Sequence, residues 1–202
     1  MGYRPTKTAH RKLSALAQSQ AGYFTAKQAA EFGYKYPHLD YHVQSGNFER
    51  VGHGLYRLPG IPLSDHDDLV RLSFWSRDRN DNPQAVVSHQ TALAIHDLSD
   101  LLPSKIHLTV PTTFRKKSGR EVVLHRVMVD PIAVEERQGF SVTTPLRTLM
   151  DIAADPKTAD EHLKRATAEA LKRGLVRKPK LLAAAKKSPE TTRLSRMIAA
   201  MR

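Results

Sequence analysis

Residues 24–46 read FTAKQAAEFGYKYPHLDYHVQSG, and this stretch decides the fold of the N-terminal region. Thr25 can accept a hydrogen bond from the free amides of a new helix, and Gln28, three residues on, can reach back to the cap. Gly33 ends that helix early. A further helix follows, with Pro37 at its first position, where the missing N–H costs nothing. The stretch therefore predicts two short helices joined by a tight turn.

The flanking residues complete the pattern. Upstream, residues 8–19 carry leucine and alanine at helical spacing, which predicts a first helix. Downstream, residues 48–51 and 55–58 are two short strand-like runs joined by a Gly-His-Gly turn, which predicts a hairpin. Three helices followed by a hairpin is the element order of a winged helix-turn-helix.

The third helix has a side that suits the reading of DNA. Leu39 and Val43 are one turn apart and are expected to face the core. The remaining side chains are mostly aromatic, imidazole, amide and hydroxyl groups, which suit a helix in the major groove, where base edges are read by hydrogen bonds and apolar contacts. Asp40 is expected to point away, because phosphates repel a carboxylate.

The wing tip of such a fold lies over the DNA backbone or minor groove, so the residues around it are candidates for phosphate contacts. Two candidates have a structural alternative, Arg57 as a solvated edge-strand residue and His42 as a packed side chain. The predicted DNA-binding residues are Thr25, Lys27, Lys35, Tyr36, His38, Tyr41, His42, Gln44, Ser45, Arg50, His53 and Arg57.

The net charge of +12 is unevenly distributed along the chain. Residues 1–60 contribute +5, residues 61–155 contribute −2 and residues 156–202 contribute +9. A near-neutral middle between two basic ends indicates that nucleic acid contacts the ends. For the C-terminal stretch, a set of solvated lysine-rich helix faces is an equally good interpretation.

Composition excludes several classes of protein. There is no cysteine, which removes disulfide scaffolds, thiolate zinc sites and cysteine nucleophiles. No HExxH spacing and no Walker-type phosphate loop is present, so neither a metal site nor a cofactor is predicted. No apolar run approaches the length of a signal sequence or a spanning helix, and we expect a cytoplasmic protein without membrane contact.

Two prolines and a glycine in residues 59–62 predict a linker, which divides the chain into a DNA-binding domain, 1–60, and a second domain, 61–202. The second domain has a predicted helix over 65–78, alternating strands and helices to about residue 155, and a helical, basic C-terminus over about 156–202. That C-terminus could close the domain, contact DNA or neutralise an acidic partner. The predicted fold class is α+β, a winged helix-turn-helix followed by a mixed α/β domain.

A serine-based active site is considered because Ser88, His89, His96 and Asp97 lie close together in the sequence. Neighbours at positions i and i+1 of one chain are not expected to face each other, and no G-x-S-x-G frame surrounds Ser88. Ser88 is therefore interpreted as a helix cap. No catalytic residue is predicted.

Several motifs resemble a known family, the AbiEi antitoxins. Their N-terminal domain is similar to residues 21–30, Gly33, 46–51 and 54–59, although this chain has His53 at the wing turn, where a basic residue is common in the family. The antitoxin domain is similar to the four motifs over residues 87–93, 98–103, 106–111 and 139–151. The likeness covers roughly residues 10–155.

The resemblance implies a protein that represses its own operon by binding inverted repeats in double-stranded promoter DNA. It also implies that the larger domain neutralises a cognate nucleotidyltransferase-type toxin, AbiEii, by direct or indirect means, and that the protein is not an enzyme. Two alternatives remain open from the sequence. One is an orphan winged-helix regulator, and the other is a nucleic-acid-processing enzyme.

Overall fold

The computed structural model describes residues 6–99 and 103–200, which form two compact units. Unit 1 runs to Pro83 and includes Arg137–Phe140, and unit 2 contains Gln84–Glu136 and the residues from Ser141 onward. Asp100 in one of the family-like motifs and Met201, the predicted end of the last helix, lie outside the described residues. The fold class is α+β, as predicted.

Unit 1 has the order of a winged helix-turn-helix followed by one more helix. Its sheet is antiparallel with the strand order β1-β3-β2, and β2 and β3 are the wing. The third helix begins at Tyr36, so that Pro37 is its second residue and not its first as predicted. The elements are α1 (Lys7–Ser19), β1 (Tyr23–Thr25), α2 (Ala26–Glu31), α3 (Tyr36–Gln44), β2 (Glu49–Gly52), β3 (Leu55–Arg57) and α4 (Asp67–Ser76).

Aromatic rings make up the centre of unit 1. Phe24 is fully buried and lies 5.0 Å from Phe48 and 5.7 Å from Tyr56, measured between ring centroids. Leu39 is buried against the same cluster, and Val43 packs on its edge. The core-facing side of α3 is therefore as predicted, which fixes the orientation of its opposite face.

The boundary of unit 1 lies beyond the predicted linker at residues 59–62, because α4 packs on the winged helix. The Tyr23 hydroxyl donates to the Asp67 carboxylate at 2.8 Å, and the Tyr23 and Phe74 rings lie 5.8 Å apart. Helix α4 is also shorter than the predicted range of 65–78, and its N-cap residue, His66, makes no side-chain cap bond. Residues 59–62 are thus a turn inside unit 1.

Unit 2 is built on a mixed five-stranded sheet of order β6-β5-β4-β8-β7, in which β4 pairs antiparallel with β5 and parallel with β8. The strand β7 was not predicted, because its charged sequence does not alternate. Residues 137–140, the turn of the β7–β8 hairpin, group with unit 1. The elements are β4 (Val86–Val87), α5 (His89–Ile95), β5 (Ile106–Val110), β6 (Val122–Arg126), β7 (Val134–Arg137), β8 (Phe140–Thr143), α6 (Pro145–Ala154), α7 (Asp160–Lys172), α8 (Lys178–Lys186) and α9 (Thr192–Ala200).

The basic C-terminal helices close unit 2. Leu163 of α7, Leu181 of α8 and Ile198 of α9 are fully buried in one cluster with Leu149 and Ile152 of α6. Closing the domain is one of the three roles that the sequence left open for this region. The apolar side of each helix is inside, so the surplus positive charge lies on the outside.

Arg193 holds α9 to the C-terminal end of α6. Its guanidinium donates to four backbone carbonyl oxygens at distances of 2.6 to 2.8 Å. The last carbonyls of a helix have no partner within the helix, so a side chain that binds several of them replaces the missing bonds. The four acceptors are Ile152, Ala153, Asp155 and Thr158.

Candidate nucleic-acid interface

The solvent-facing side of α3 is rich in groups that can read bases. Tyr41 is 61% exposed and Tyr36 is 54% exposed, although large aromatic side chains are usually buried. Gln44 and Ser45 are exposed one turn after Tyr41, on the same side of the helix. These four predicted residues form a surface of hydrogen-bonding and apolar groups.

Two histidines of α3 are engaged inside the domain. The His42 ring lies 4.8 Å from that of Phe48 and 5.4 Å from that of Tyr34, and burial lowers the pKa of His42. His38 Nδ1 accepts a hydrogen bond from the backbone N–H of Lys35 at 3.1 Å, which caps the helix. His42 thus follows the packing alternative, and His38 has a structural role beside any contact with DNA.

The wing is connected to both helices of the helix-turn-helix. Arg50 on β2 donates to the Tyr36 hydroxyl at 3.4 Å, and the Ala26 N–H at the start of α2 donates to the carbonyl of Gly54 at 2.9 Å. Gly54 has φ +65, which a residue with a side chain rarely adopts. Arg50 and His53 are both exposed near this turn, as their predicted role requires.

Arg57 is a structural residue and not the surface residue that the sequence indicated. Its exposed fraction is 7%, and its guanidinium forms an ion pair with Glu49 at 3.4 Å and donates to the Ile61 carbonyl. A guanidinium held in this way cannot reach a phosphate without breaking these bonds. Arg57 is therefore engaged within unit 1 and is not available to bind a phosphate.

Thr25 has the predicted capping role, and its hydroxyl is used within the protein. It accepts from the Gln28 N–H at 3.1 Å and donates to Asp81 Oδ2 at 2.7 Å, while Gln28 Oε1 accepts from the Thr25 N–H at 2.9 Å. The capping box is confirmed. Lys27, two residues on, is exposed and donates to the backbone carbonyl of Arg79.

The structure therefore divides the twelve predicted residues into two groups. Four of them, Thr25, His38, His42 and Arg57, make capping, packing or ion-pair contacts inside unit 1. The other eight are exposed around α3, the start of α2 and the wing, and they are Lys27, Lys35, Tyr36, Tyr41, Gln44, Ser45, Arg50 and His53.

A second polar cluster lies in unit 2, where the sequence placed the rejected serine site. Ser88 is the N-cap residue of α5 but makes no side-chain cap bond, and its Oγ lies 3.0 Å from His89 Nδ1. The expectation that these neighbours cannot face each other was wrong, because His89 has φ 52 and its ring turns back. Ser88 is fully buried and also accepts from Thr109, so no substrate can reach its hydroxyl.

His89 belongs to a group of three histidines. Its ring stacks on that of His125 with centroids 3.5 Å apart, and His107 Nδ1 lies 3.0 Å from His125 Nε2. Burial, together with the neighbouring imidazoles, lowers the pKa of His89 to about 3 and that of His107 to about 4. Neutral rings suit this stack, since two imidazolium ions in contact would repel.

The described ranges, 6–99 and 103–200, contain no group of three or more histidine, aspartate or glutamate side chains placed to hold a metal ion. Within the same ranges no helix has the length and apolar character needed to cross a membrane.

Comparison with known proteins identifies the N-terminal segment. Residues 11–59 match the family described as transcriptional regulator, AbiEi antitoxin. No curated protein matches the chain. Among solved structures, the RV2827C protein from Mycobacterium tuberculosis is similar, with 16% sequence identity and a TM-score of 0.49 over 98% of this chain and 83% of that chain. The segment that resembles the AbiEi antitoxin family of transcriptional regulators therefore contains α2, α3 and the wing.

Proposed function

We propose that this protein represses its own operon by binding inverted repeats in the promoter, and that it is the antitoxin of a nucleotidyltransferase-type toxin. The observation that carries the DNA-binding part is the exposed face of α3, where Tyr36, Tyr41, Gln44 and Ser45 lie beside the wing. Such a face in a winged helix-turn-helix fits the major groove.

The exposed groups divide by chemistry into base-reading and backbone-binding residues. Gln44 can bind both hydrogen-bonding atoms of an adenine edge, and the tyrosine rings can contact thymine methyl groups. Lys35 and Arg50 are cations at the margin of α3 and on the wing, and cations bind phosphates without regard to sequence. The free energy of DNA binding then has two contributions. Base contacts from α3 depend on sequence, and phosphate contacts from Lys35 and Arg50 depend on salt.

A gel-shift titration of the full chain tests the DNA-binding part. The probes are the region upstream of its gene and a scrambled fragment of equal length and composition. We expect tighter binding to the upstream region at moderate salt. Equal affinity for both probes would contradict operator recognition, and binding to neither would contradict the repressor function altogether.

The antitoxin part is supported by the family of residues 11–59, and it is tested in cells. We expect the neighbouring gene to encode a nucleotidyltransferase that stops growth when expressed alone, and we expect this protein to restore growth. We also propose that the protein acts by binding and not by catalysis. Magnesium-dependent cleavage of DNA or RNA that a single carboxylate substitution abolishes would contradict this.

A further inference from the structure

The loop 77–82, which follows α4 in unit 1, is held in a defined shape by its own hydrogen bonds. Arg77 donates to the Asp81 carboxylate at 3.0 Å and to its carbonyl oxygen at 3.1 Å, and it also donates to Gln20 Oε1 at 2.8 Å. Asp78 Oδ1 accepts from two backbone amides of the loop at 2.8 and 2.9 Å. These bonds shape the loop before any ligand binds.

The loop is joined to the first turn of α2, and α2 is joined to the wing. Lys27 donates to the backbone carbonyl of Arg79, and the neighbouring Ala26 N–H donates to Gly54 at the wing turn. The wing turn, the start of α2 and the loop therefore form one continuous surface of unit 1. The wing part of this surface is the part that lies along the DNA backbone in a winged helix.

The outward charge of the loop region is positive. The Asp78 carboxylate binds backbone amides, and the Asp81 carboxylate binds the guanidinium of Arg77, so both acids are engaged within the loop. The side chains of Lys27 and Arg79 are exposed. The backbone that carries Arg79 is already ordered, so phosphate binding costs only the freedom of the side chain.

We propose that Lys27 and Arg79 form an additional contact with the DNA phosphate backbone, beside the wing. This inference rests on the proposed function, and it adds a residue from outside the helix-turn-helix to the DNA-binding surface. Arg79 lies twenty residues beyond the segment that matches the family, and the linker predicted at residues 59–62 places it in the other domain. The ligand is the phosphodiester backbone itself, independent of base sequence.

The test is the salt dependence of promoter binding by the full chain, measured by fluorescence anisotropy. For Arg79→Ala we expect the slope of log K against log salt to become shallower by about 0.9, the change for one lost phosphate contact. The preference for the promoter over a scrambled fragment should not change. Arg79→Lys should keep the wild-type slope. Lys27→Ala should make the slope shallower by a similar amount, independently of Arg79.

Arg71→Ala is the matched control, because it removes an exposed arginine from α4, the helix before the loop. We expect it to keep the wild-type slope. A wild-type slope for both Arg79→Ala and Lys27→Ala would overturn the additional contact and leave the proposed function intact. Failure of the wild-type chain to bind DNA would overturn the proposed function and the contact together.

Discussion

At the scale of single residues, exposure separates the side chains of α3 that are available for the proposed contact with DNA from those that pack inside the domain. Tyr41 and Gln44 are exposed on α3, whereas His42 between them packs on Phe48. We expect Tyr41→Ala with Gln44→Ala to reduce the preference for the promoter over scrambled DNA while non-specific binding persists. Competition gel shifts measure this ratio, and an unchanged ratio would place base recognition elsewhere.

Arg50 and Arg57 form a matched pair on the two strands of the wing. We expect Arg50→Ala to weaken binding to all DNA and to make the salt slope shallower by about 0.9, with no change in thermal stability. Arg57→Ala should instead reduce the free energy of unfolding by about 1–2 kcal/mol, because it removes charged hydrogen bonds from a buried site. Salt titration and thermal melting of both variants check this. A lower melting temperature for Arg50→Ala and a shallower salt slope for Arg57→Ala would contradict the two roles.

At the scale of elements, the attachment of α9 depends on Arg193. We expect Arg193→Ala to lower the free energy of unfolding by about 2–3 kcal/mol, because four carbonyl oxygens lose a charged donor. Arg196→Ala, on the exposed side of the same helix, is the control and should change it little. Urea unfolding measures the free energy of unfolding of both variants. Equal losses would mean that the hydrogen bonds of the Arg193 guanidinium do not hold α9 in place.

The stability of unit 2 should depend on pH through His89, His107 and His125, which lie where β4 meets α5 and where β5 pairs with β6. His89 and His107 have folded pKa values of about 3 and about 4, below the ordinary 6.5, so folding favours their neutral forms. Their contribution to stability is therefore complete above about pH 6.5 and is lost as pH falls toward these values, at no more than about 1.4 kcal/mol per pH unit for each group.

Two variants test this pH dependence. His89→Asn keeps a residue that tolerates positive φ, and His162→Gln removes an exposed histidine from α7. Thermal melting between pH 7 and pH 4 should show a shallower loss of stability for His89→Asn than for the wild type, and the wild-type slope for His162→Gln. The same slope in all three proteins would rule out the histidine group as the cause.

The sequence predicted those elements that are stabilised by residues close to one another in the chain. The Thr25 and Gln28 capping box, the wing hairpin and the strand β5 depend on neighbours within a few residues, and the structure confirms them. The contacts that were missed join residues far apart in the chain. Tyr23 binds Asp67, and Arg193 binds the end of α6, and no spacing rule connects such positions.

In the candidate site, too, local features were predicted from the sequence and contacts between distant residues were not. The sequence identified the exposed face of α3, because helical periodicity separates Leu39 and Val43 from the residues opposite them. It could not exclude Arg57, whose burial depends on the turn that brings Ile61 over it. The Ser88 and His89 contact was missed for another reason, since it requires a left-handed backbone that most residues avoid.

At the scale of the whole molecule, the two units suggest a division of labour that point variants can test. We expect the Tyr41 and Gln44 double variant to lose repression of a promoter reporter and to keep the ability to restore growth in cells that express the toxin. Loss of both activities would mean that neutralisation also requires DNA recognition. Deleting residues 1–60 is a poorer test, because it removes Tyr23 and leaves Asp67 and Phe74 of α4 without their partner.

The bond between the Ala26 amide and the Gly54 carbonyl bears on the thermodynamics of the proposed association with DNA. A wing tied to the helix beside it loses its conformational entropy when the polypeptide folds, and not when the duplex arrives. The heat-capacity change of complex formation should then reflect the surface that the two molecules bury, without the additional term of a segment that folds on its target.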